Sequence, residues 1–288
     1  MSDMSDVLLS IGHGYSARAL AGRLVPAGWR VIGTTRSADK TAALAEDGVT
    51  PLIWPGRDLP LGAATHLLSS VGPGPDGDPV LRAAGAQIAQ ARHLRWIGYL
   101  STTSVYGDHG GAWVDEDTPP DPATDRGRAR LDAERAWARV AEAAGVPLHI
   151  FRLGGIYGPG RGPFAKLRAG RAQLIIKPGQ VFSRIHVDDI AQALAASMRA
   201  PVPGGRVYNL CDDLPAPPQD VLAHAAQLLG IAPPEAVAFE DADLSPMGRS
   251  FYAENKRVRN HRMRRELGIA LRHPDYRSGL ASILEHDA

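Results

Sequence analysis

The sequence predicts an α/β protein built on a doubly wound parallel sheet. Short apolar runs alternate with helical segments through the first half of the chain. This alternation is typical of parallel strands joined by crossover helices. At 288 residues, the chain is also long enough to bury a large core.

The composition argues against several classes of protein. One cysteine cannot form an internal disulfide, and a formal net charge of +1 does not favour a nucleic-acid-binding surface. No apolar window has the length of a membrane span, and residues 1–6 contain no hydrophobic leader. We therefore expect a cytoplasmic protein that binds neither membranes nor nucleic acids.

The first apolar run, VLLSI, leads into a turn and a helix with the spacing G-x-G-x-x-A. Gly12 allows a sharp turn, Gly14 leaves room for a pyrophosphate beside the backbone, and Ala17 lets helix and strand pack closely. The start of the helix then offers free amides to the phosphates. The spacing therefore predicts a dinucleotide site formed by Gly12, His13, Gly14 and Tyr15.

The second apolar run ends at Thr35 and Arg36. In a dinucleotide-binding sheet, the residue at this strand end meets the adenosine ribose, and an arginine suits a 2′-phosphate. We therefore expect NADP as the cofactor, with NAD as the alternative. A solvated loop arginine is the other interpretation of Arg36.

Further strands are predicted at 49–54, 64–71, 96–102 and 148–152, and helices at 79–92 and 128–144. The strand that ends at 71 runs into a turn-rich loop, and Ser70, Val71 and Gly72 there are expected near the cofactor. A plain exposed turn is the alternative.

Four consecutive hydroxyl side chains, Ser101 to Ser104, lie at the end of the strand predicted at 96–102. At this strand end they would face the nicotinamide side of the cleft, where they can orient a substrate hydroxyl or carbonyl. Serines and threonines also cap strand ends without any catalytic role. We place Thr102 with the catalytic residues and Thr103 with the substrate-binding residues.

Five further motifs span the chain: STTSVYG at 101–107, WVDEDTP at 113–119, RLGGIYGPG at 152–160, HVDDIA at 186–191 and VYNL at 207–210. Together with the glycine turn, they resemble the extended short-chain dehydrogenase/reductase superfamily, in its NAD-dependent epimerase/dehydratase branch. The G-x-G-Y-x-A turn resembles an atypical subgroup of nucleoside-diphosphate-sugar epimerase-like proteins. The resemblance implies a Rossmann fold that binds NAD(P), a small-molecule substrate such as a nucleotide sugar, and a homodimer.

The catalytic signature departs from the superfamily, whose active members carry Tyr-x-x-x-Lys. Aligning RLDAE at 130–134 with the family's Lys-Leu-x-x-Glu puts Arg130 at the Lys position and Arg126 at the Tyr position. Arginine stays protonated, so neither residue can replace the tyrosine as an acid or base. Arg130 can still hold ribose hydroxyls. Thr102 matches the family's catalytic Ser/Thr, and Thr102, Arg126 and Arg130 form our predicted catalytic set.

Tyr106 and Tyr157 also follow strand ends. Either could supply the missing phenol, although packing or lining of the cleft is the favoured interpretation. We assign both to substrate binding. The basic run from Lys256 to Arg265 could hold a substrate diphosphate, but its spacing is also that of a solvated helix face.

His186, Asp188 and Asp189 suggest either a metal site or a structural junction. We predict no metal, because no further His or Cys lies at ligand spacing nearby. Asp188 is expected to cap a helix that runs to about Arg199.

We predict a dinucleotide-binding domain from residues 1–156 and 185–211 and a smaller substrate-side domain from 157–184 and 212–288. The expected function is that of an NAD(P)-binding oxidoreductase or epimerase/dehydratase-like enzyme, acting on a sugar-like or other hydroxyl-bearing molecule. The alternative is a catalytically silent NADP-binding protein that senses redox state or binds a partner.

Overall fold

The computed structural model describes residues 6–286. Residues 1–5, which contribute to our prediction that there is no leader, lie outside that range. The strands are β1 (Val7–Ile11), β2 (Arg30–Thr35), β3 (Thr50–Ile53), β4 (His66–Ser69), β5 (Trp96–Thr102), β6 (Trp113–Val114), β7 (Leu148–Leu153), β8 (Gly155–Tyr157), β9 (Leu174–Ile176), β10 (Arg184–His186), β11 (Arg206–Leu210), β12 (Ala236–Ala238) and β13 (Arg257–Val258).

The helices account for most of the remaining regular structure in the described residues. They are α1 (Tyr15–Leu24), α2 (Thr41–Glu46), α3 (Pro79–Ala89), α4 (Asp125–Ala144), α5 (Phe164–Arg168), α6 (Val187–Arg199), α7 (Pro218–Leu228), α8 (Pro246–Phe251), α9 (His261–Leu267) and α10 (Tyr276–His286). No helix between residues 6 and 286 is long and apolar enough to span a membrane.

Seven strands form one parallel sheet in the order β11-β7-β5-β4-β1-β2-β3. From β1 the chain adds β2 and β3 on one side, and from β4 it adds β5, β7 and β11 on the other. The strand order therefore reverses between β1 and β4, and ligands of open α/β sheets bind at the carboxyl ends beside such a switch point. The predicted doubly wound parallel sheet is confirmed.

Helices cover both faces of the sheet. On one face α1 packs against α6, and Leu20 and Leu194 belong to the core cluster there. On the other face α3 packs against α4, where Ile88 and Trp137 are fully buried. Because both faces are covered, the central strands β1, β4 and β7 are buried along their whole length.

A third apolar cluster lies outside the sheet. It is formed by residues of β8, α5, α7 and α10, among them Tyr157, Phe164, Val221 and Leu280. The C-terminal third is not confined to this cluster, because α9 packs against α6 and β11 and buries Met263 in the core of the sheet. The division into two domains at the predicted boundaries remains a prediction.

Two predicted helix starts are wrong, each because of a local capping interaction. Helix α4 begins at Asp125, three residues earlier than expected, because the Thr124 hydroxyl accepts a hydrogen bond from the Gly127 amide at 3.1 Å. Helix α6 begins at Val187, and its N-cap is His186 rather than Asp188. The His186 Nδ1 atom accepts the Asp188 amide at 3.2 Å, so Asp188 lies within the first turn.

Candidate active site

The glycine turn between β1 and α1 has the geometry that a diphosphate site needs. Gly12 has a φ of +76°, and a Cβ atom there would lie 2.7 Å from Cγ2 of Val71. At Gly14 a Cβ atom would approach no atom closer than 3.7 Å, so the space beside it is open. Because no side chain caps α1, its first-turn amides are free to bind an anion.

The side chains of His13, within this turn, and of Tyr15, directly after it, point away from the turn. The His13 ring is buried against Gly33, its Nδ1 atom lies 2.9 Å from the Ser10 hydroxyl, and burial lowers its pKa to about 4. Only the backbone of His13 is therefore placed to meet a phosphate. The Tyr15 hydroxyl donates to the Pro159 carbonyl at 2.9 Å, and burial raises its pKa to about 12.

The end of β2 presents an unpaired cation. The Thr35 hydroxyl accepts the Ser37 amide at 3.2 Å and so fixes the loop locally. Arg36 is exposed and forms no ion pair with any residue between 6 and 286. An exposed guanidinium without an internal partner at this strand end is available for an external anion.

The loop after β4 lies across the switch point. The Ser70 hydroxyl is buried and has no hydrogen-bond partner among the described residues. Arg130 donates to the Tyr99 hydroxyl at 3.0 Å and to the Leu100 carbonyl at 2.9 Å. A Cβ atom at Gly72 would lie 3.2 Å from the Nη2 atom of Arg130. Arg130 therefore reaches the predicted cofactor loop.

A cavity of about 390 Å³ opens at the carboxyl ends of β5 and β7. Its wall carries the predicted residues Thr102, Thr103, Arg126 and Tyr157. The remaining lining residues are Ser104, Thr124, Leu153, Gly154, Gly155, Ile156, Val181, Phe182, Ser183, Arg184, Ser250, Phe251, Glu254, Lys256 and Val258.

Thr102 and Arg126 approach the cavity from different elements. The Thr102 hydroxyl accepts the Ser104 amide at 3.3 Å, which begins the turn Thr103–Tyr106. Arg126 stands near the start of α4, is exposed, and forms no ion pair within residues 6–286. The structure thus places a hydroxyl and an uncompensated cation in one cavity.

Two of the singled-out side chains turn away from the cavity. The Ser101 hydroxyl donates to Glu134 at 2.5 Å in the core. Tyr106 is fully buried, donates to Asn209 Oδ1 at 2.8 Å, and lies under the guanidinium of Arg152 at 4.9 Å from its ring centroid. The Tyr106 side chain therefore lies in the core and not in the wall of the cavity.

Tyr157 lines the cavity, but its hydroxyl is directed elsewhere. It donates to the Asp275 carbonyl at 3.2 Å. Burial, with the nearby carboxylates of Asp212 and Asp189, raises its pKa well above the usual range of a phenol. The ring can contact a substrate, whereas the hydroxyl is poorly placed to exchange a proton with one.

The cavity wall also carries three charged residues that the sequence did not single out: Arg184, Glu254 and Lys256. Arg184 donates through Nη1 to the Phe182 and Ala216 carbonyls, each at 2.9 Å. Lys256 and Glu254 form a buried ion pair of 2.6 Å. The basic run at 256–265 was the available signal for Lys256, and nothing in the local sequence marks Glu254 or Arg184.

A histidine from a distant segment joins His186. The ring centroids of His186 and His273 lie 3.9 Å apart, and Asp188 Oδ2 is 3.6 Å from His273 Nε2. The three residues offer ligand atoms within 4.8 Å of one another. However, His186 Nδ1 accepts the Asp188 amide, which leaves the ring proton on Nε2, and binding a metal through Nε2 would need the opposite tautomer.

The same segment is fixed by a second carboxylate. Asp189 accepts the amides of Arg272 and His273 at 2.7 and 3.0 Å. Burial lowers the pKa of His186 to about 4, so its ring stays neutral. These contacts tie the start of α6 to residues 272–273, and we assign the cluster a structural role.

The chain is similar to known proteins over most of its length. The model of the NAD dependent epimerase/dehydratase family matches residues 80–211. Protein YeeZ of Escherichia coli K12 is 30% identical over 281 residues, which cover 92% of this chain and 95% of that protein. The chain belongs to the NAD-dependent epimerase/dehydratase family. The predicted resemblance to this branch of the extended short-chain dehydrogenases/reductases is confirmed.

Other known proteins are similar to this chain in sequence or in fold. A 3-diazoavenalumate denitrifying reductase from Streptomyces is 29% identical over 210 residues, covering 69% of this chain and 66% of that protein. A functionally unknown conserved protein from Silicibacter pomeroyi is 59% identical, with a TM-score of 0.94 and 99% of both chains covered. The UDP-glucuronic acid 4-epimerase from Bacillus cereus, solved with UDP-glucuronic acid and NAD, is 18% identical with a TM-score of 0.78, covering 98% of this chain and 100% of that one.

Proposed function

We propose that this protein is an NADP-dependent oxidoreductase acting on a small molecule that carries a hydroxyl or carbonyl group and a negative charge. The observation that carries the proposal is the cavity at the ends of β5 and β7, where the Thr102 hydroxyl and the unpaired Arg126 share one wall. The cavity opens at the carboxyl edge of the parallel sheet, and the glycine turn after β1 lies at the same edge, as a dinucleotide-dependent reaction requires. A sugar-like substrate and an aromatic one both fit this description.

The residues around the turn fit the dinucleotide. Gly12 and Gly14 leave the backbone and the first amides of α1 open to a diphosphate. Arg36 would bind the 2′-phosphate, and Arg130 would hold ribose hydroxyls near Gly72. When bound, the nicotinamide supplies or accepts the hydride. The Bacillus cereus epimerase, which shares the fold, was solved with NAD, and this supports a dinucleotide as the ligand.

The roles of the cavity residues follow from their chemistry. The Thr102 hydroxyl would hold the reacting oxygen of the substrate by a hydrogen bond. Arg126, which stays protonated, would bind the negatively charged group and favour anionic over neutral substrates. The aromatic rings of Phe182 and Phe251 offer an apolar wall to the part of the substrate between these two anchors.

A catalytically silent, NADP-binding redox sensor is the second candidate. It is favoured by the two arginines that stand where active relatives carry tyrosine and lysine, because neither arginine can exchange a proton. The two candidates share the coenzyme site and differ in whether a hydride leaves it. Binding and turnover must therefore be measured separately.

The test uses the full chain with 4-acetylbenzoate, an aryl ketone with a carboxylate, and acetophenone as its uncharged counterpart. Calorimetry should show tighter binding of NADPH than of NADH, and NADPH oxidation should be at least about tenfold more efficient with the carboxylate. Thr102→Val should slow hydride transfer on the order of a hundredfold. Thr50→Val, at the exposed start of β3, should change nothing.

Each failure has its own meaning. Absence of dinucleotide binding would overturn both candidates. Tight NADPH binding without oxidation by either ketone would overturn the oxidoreductase in favour of the sensor. Equal turnover of the two ketones would contradict the preference for an anionic substrate and the role proposed for Arg126.

A further inference from the structure

The wall of the cavity contains a buried acid–base pair. Glu254 and Lys256 are each 9% exposed, and the Lys256 Nζ atom donates to Glu254 Oε2 at 2.6 Å. Nζ also donates to the Gly107 carbonyl at 2.7 Å. An ammonium group carries three protons, so one remains for a group in the cavity.

Only one of the two oxygens of the Glu254 carboxylate accepts a hydrogen bond from the described residues. Its Oε1 atom is buried and has no hydrogen-bond partner among residues 6–286. A buried carboxylate oxygen without a donor is costly, and such atoms are usually satisfied by a ligand or a water. Since Glu254 lines the cavity, a molecule bound there can provide the missing donor.

The segment that carries the pair is held from several sides. The Glu254 carbonyl accepts Gln180 Nε2 at 2.8 Å. The Asn255 amide donates to Asp108 at 2.7 Å, and the Asn255 carbonyl accepts the Gly111 amide at 2.9 Å. Such fixation by separate parts of the chain places the side chains reproducibly, as a reacting group requires.

Few other groups of the cavity wall can exchange a proton. Arg126 and Arg184 stay protonated, and the Tyr157 hydroxyl donates to a carbonyl behind the wall. Serine and threonine hydroxyls are poor acids and bases on their own. Among the lining residues, this leaves Lys256 and Glu254.

We propose that Lys256, oriented by Glu254, donates the proton that the tyrosine of active relatives would supply. The assignment rests on the proposed function. In the direction of reduction, the carbonyl carbon of the substrate would receive the hydride that a bound, reduced nicotinamide supplies. The carbonyl π pair then takes a proton from Lys256, so that one N–H bond breaks and one O–H bond forms. The amine regains its proton from solvent, and in the direction of oxidation it accepts one.

The competing role for Lys256 is that of a tether for the loop at Gly107. A tether needs a positive charge and a hydrogen bond but no exchangeable proton. Arginine can satisfy a tether, yet it cannot donate a proton at ordinary pH. The two roles therefore predict opposite results for Lys256→Arg.

The experiment measures NADPH oxidation by 4-acetylbenzoate in the full chain. Lys256→Ala should lower kcat on the order of a hundredfold to ten-thousandfold while NADPH affinity changes less than about threefold, and Lys256→Arg should not restore it. Added alkylamines should restore activity in Lys256→Ala, with rates that vary with the acidity of the amine. Lys177→Met is the matched control, because Lys177 donates to the Tyr252 carbonyl in the same segment but does not line the cavity.

A readout without turnover uses the small number of lysines. The chain contains Lys40, Lys166, Lys177 and Lys256, so NMR of labelled lysine side chains resolves each ammonium group. Binding of 4-acetylbenzoate in the absence of coenzyme should shift the Lys256 signal and leave the Lys177 signal in place. Glu254→Gln should reduce that shift.

The outcomes separate this assignment from the proposed function. A wild-type protein that reduces 4-acetylbenzoate while Lys256→Ala or Lys256→Arg does so equally well overturns the assignment alone. The assignment is also overturned if the rescue rate does not depend on the acidity of the amine, or if the Lys256 NMR signal does not shift when 4-acetylbenzoate binds. A wild-type protein that binds NADPH without transferring hydride overturns the proposed function and the assignment together.

Discussion

Two buried acid–base pairs of similar composition differ in how completely their oxygens are used. Glu134 accepts Ser101 and Arg152 Nε on one oxygen and Arg152 Nη2 at 2.8 Å on the other. Glu254 accepts Lys256 on one oxygen and leaves the other without a partner among the described residues. We call the first pair closed, because both carboxylate oxygens have partners within the fold, and it lies in the core. We call the second pair open, because one carboxylate oxygen has no partner among the described residues, and it lies in the cavity wall.

The difference separates structural from functional polar groups. A closed group has its hydrogen bonds satisfied within the fold, so its removal should change stability. An open group is satisfied from outside, so its removal should change binding or turnover. Burial alone, which the two pairs share, does not distinguish the two cases.

The largest effect is expected when the closed pair is broken. Glu134→Ala leaves Arg152, whose side chain is 6% exposed, without its counter-ion. This should lower the free energy of unfolding by about 3–5 kcal/mol, measured by urea denaturation. Glu142→Ala, on an exposed position of the same helix, is the control and should stay within about 0.5 kcal/mol. A decrease of less than about 1 kcal/mol in the unfolding free energy of Glu134→Ala would contradict the structural role of the closed pair.

If Glu134→Ala fails to fold, Glu134→Gln keeps the measurement possible. The amide retains one acceptor for Ser101 or Arg152 and loses the charge. Its unfolding free energy should lie between those of the wild type and the alanine variant. A glutamine variant as stable as the wild type would show that the charge of the pair does not matter.

The next effect concerns His149, a closed group that titrates. Its Nδ1 atom lies 2.5 Å from the Ser197 hydroxyl, its Nε2 accepts the Val202 amide at 3.1 Å, and burial lowers its pKa from 6.5 to about 4. The folded state therefore binds the proton less readily than the unfolded chain. Stability from this residue is complete above pH 6.5 and is lost as the pH falls towards 4, by roughly 3 kcal/mol.

The check on His149 is the slope of unfolding free energy against pH. His149→Gln removes this titrating group and should make the slope between these two pH values shallower. Part of the slope should remain, because burial also lowers the pKa values of His13, His66 and His186 to about 4. The absolute stability of the variant at pH 7 is a separate matter, because repacking also changes it. Parallel slopes for the wild type and the variant would contradict the neutral, closed state of the ring.

The sequence predicts the closed and local parts of the molecule best. The parallel sheet followed from the alternation of apolar runs and helices, and the turn at Gly12 followed from spacing within one strand–helix unit. Helix starts were missed where a single side chain sets the boundary, as Thr124 and His186 do. These failures are small because capping depends on one local hydrogen bond.

The open parts of the site could not be predicted because they come together only in the folded chain. Lys256 meets the Gly107 carbonyl across 149 positions of sequence, and His273 reaches His186 from a distant segment. No periodicity or spacing links such residues. Tyr106 follows a strand end as a cleft residue would, but its ring is buried and its hydroxyl donates to Asn209 in the core, in keeping with the packing interpretation favoured from the sequence.

A smaller effect is expected at Arg36, an open group on the surface. Loss of a charge-assisted contact to a 2′-phosphate should cost about 1.5–3 kcal/mol, which is roughly a tenfold to hundredfold loss of NADPH affinity in Arg36→Ala. NADH affinity should not change, and calorimetry measures both. Arg30→Ala, at the opposite end of the same strand, is the control. Equal losses for both coenzymes would remove Arg36 from the 2′-phosphate site.

The smallest effect tests the boundary between open and closed groups. Tyr15 stands at the start of α1, where we predict cofactor contact, but its hydroxyl is taken by the Pro159 carbonyl. If this bond closes the group, Tyr15→Phe should lower the free energy of unfolding by about 0.5–1.5 kcal/mol and leave NADPH affinity unchanged. If the hydroxyl instead turns to the coenzyme on binding, NADPH affinity will fall while stability without coenzyme stays the same. Measuring both quantities on this one variant decides whether a hydrogen bond made within the fold is enough to exclude a side chain from the site.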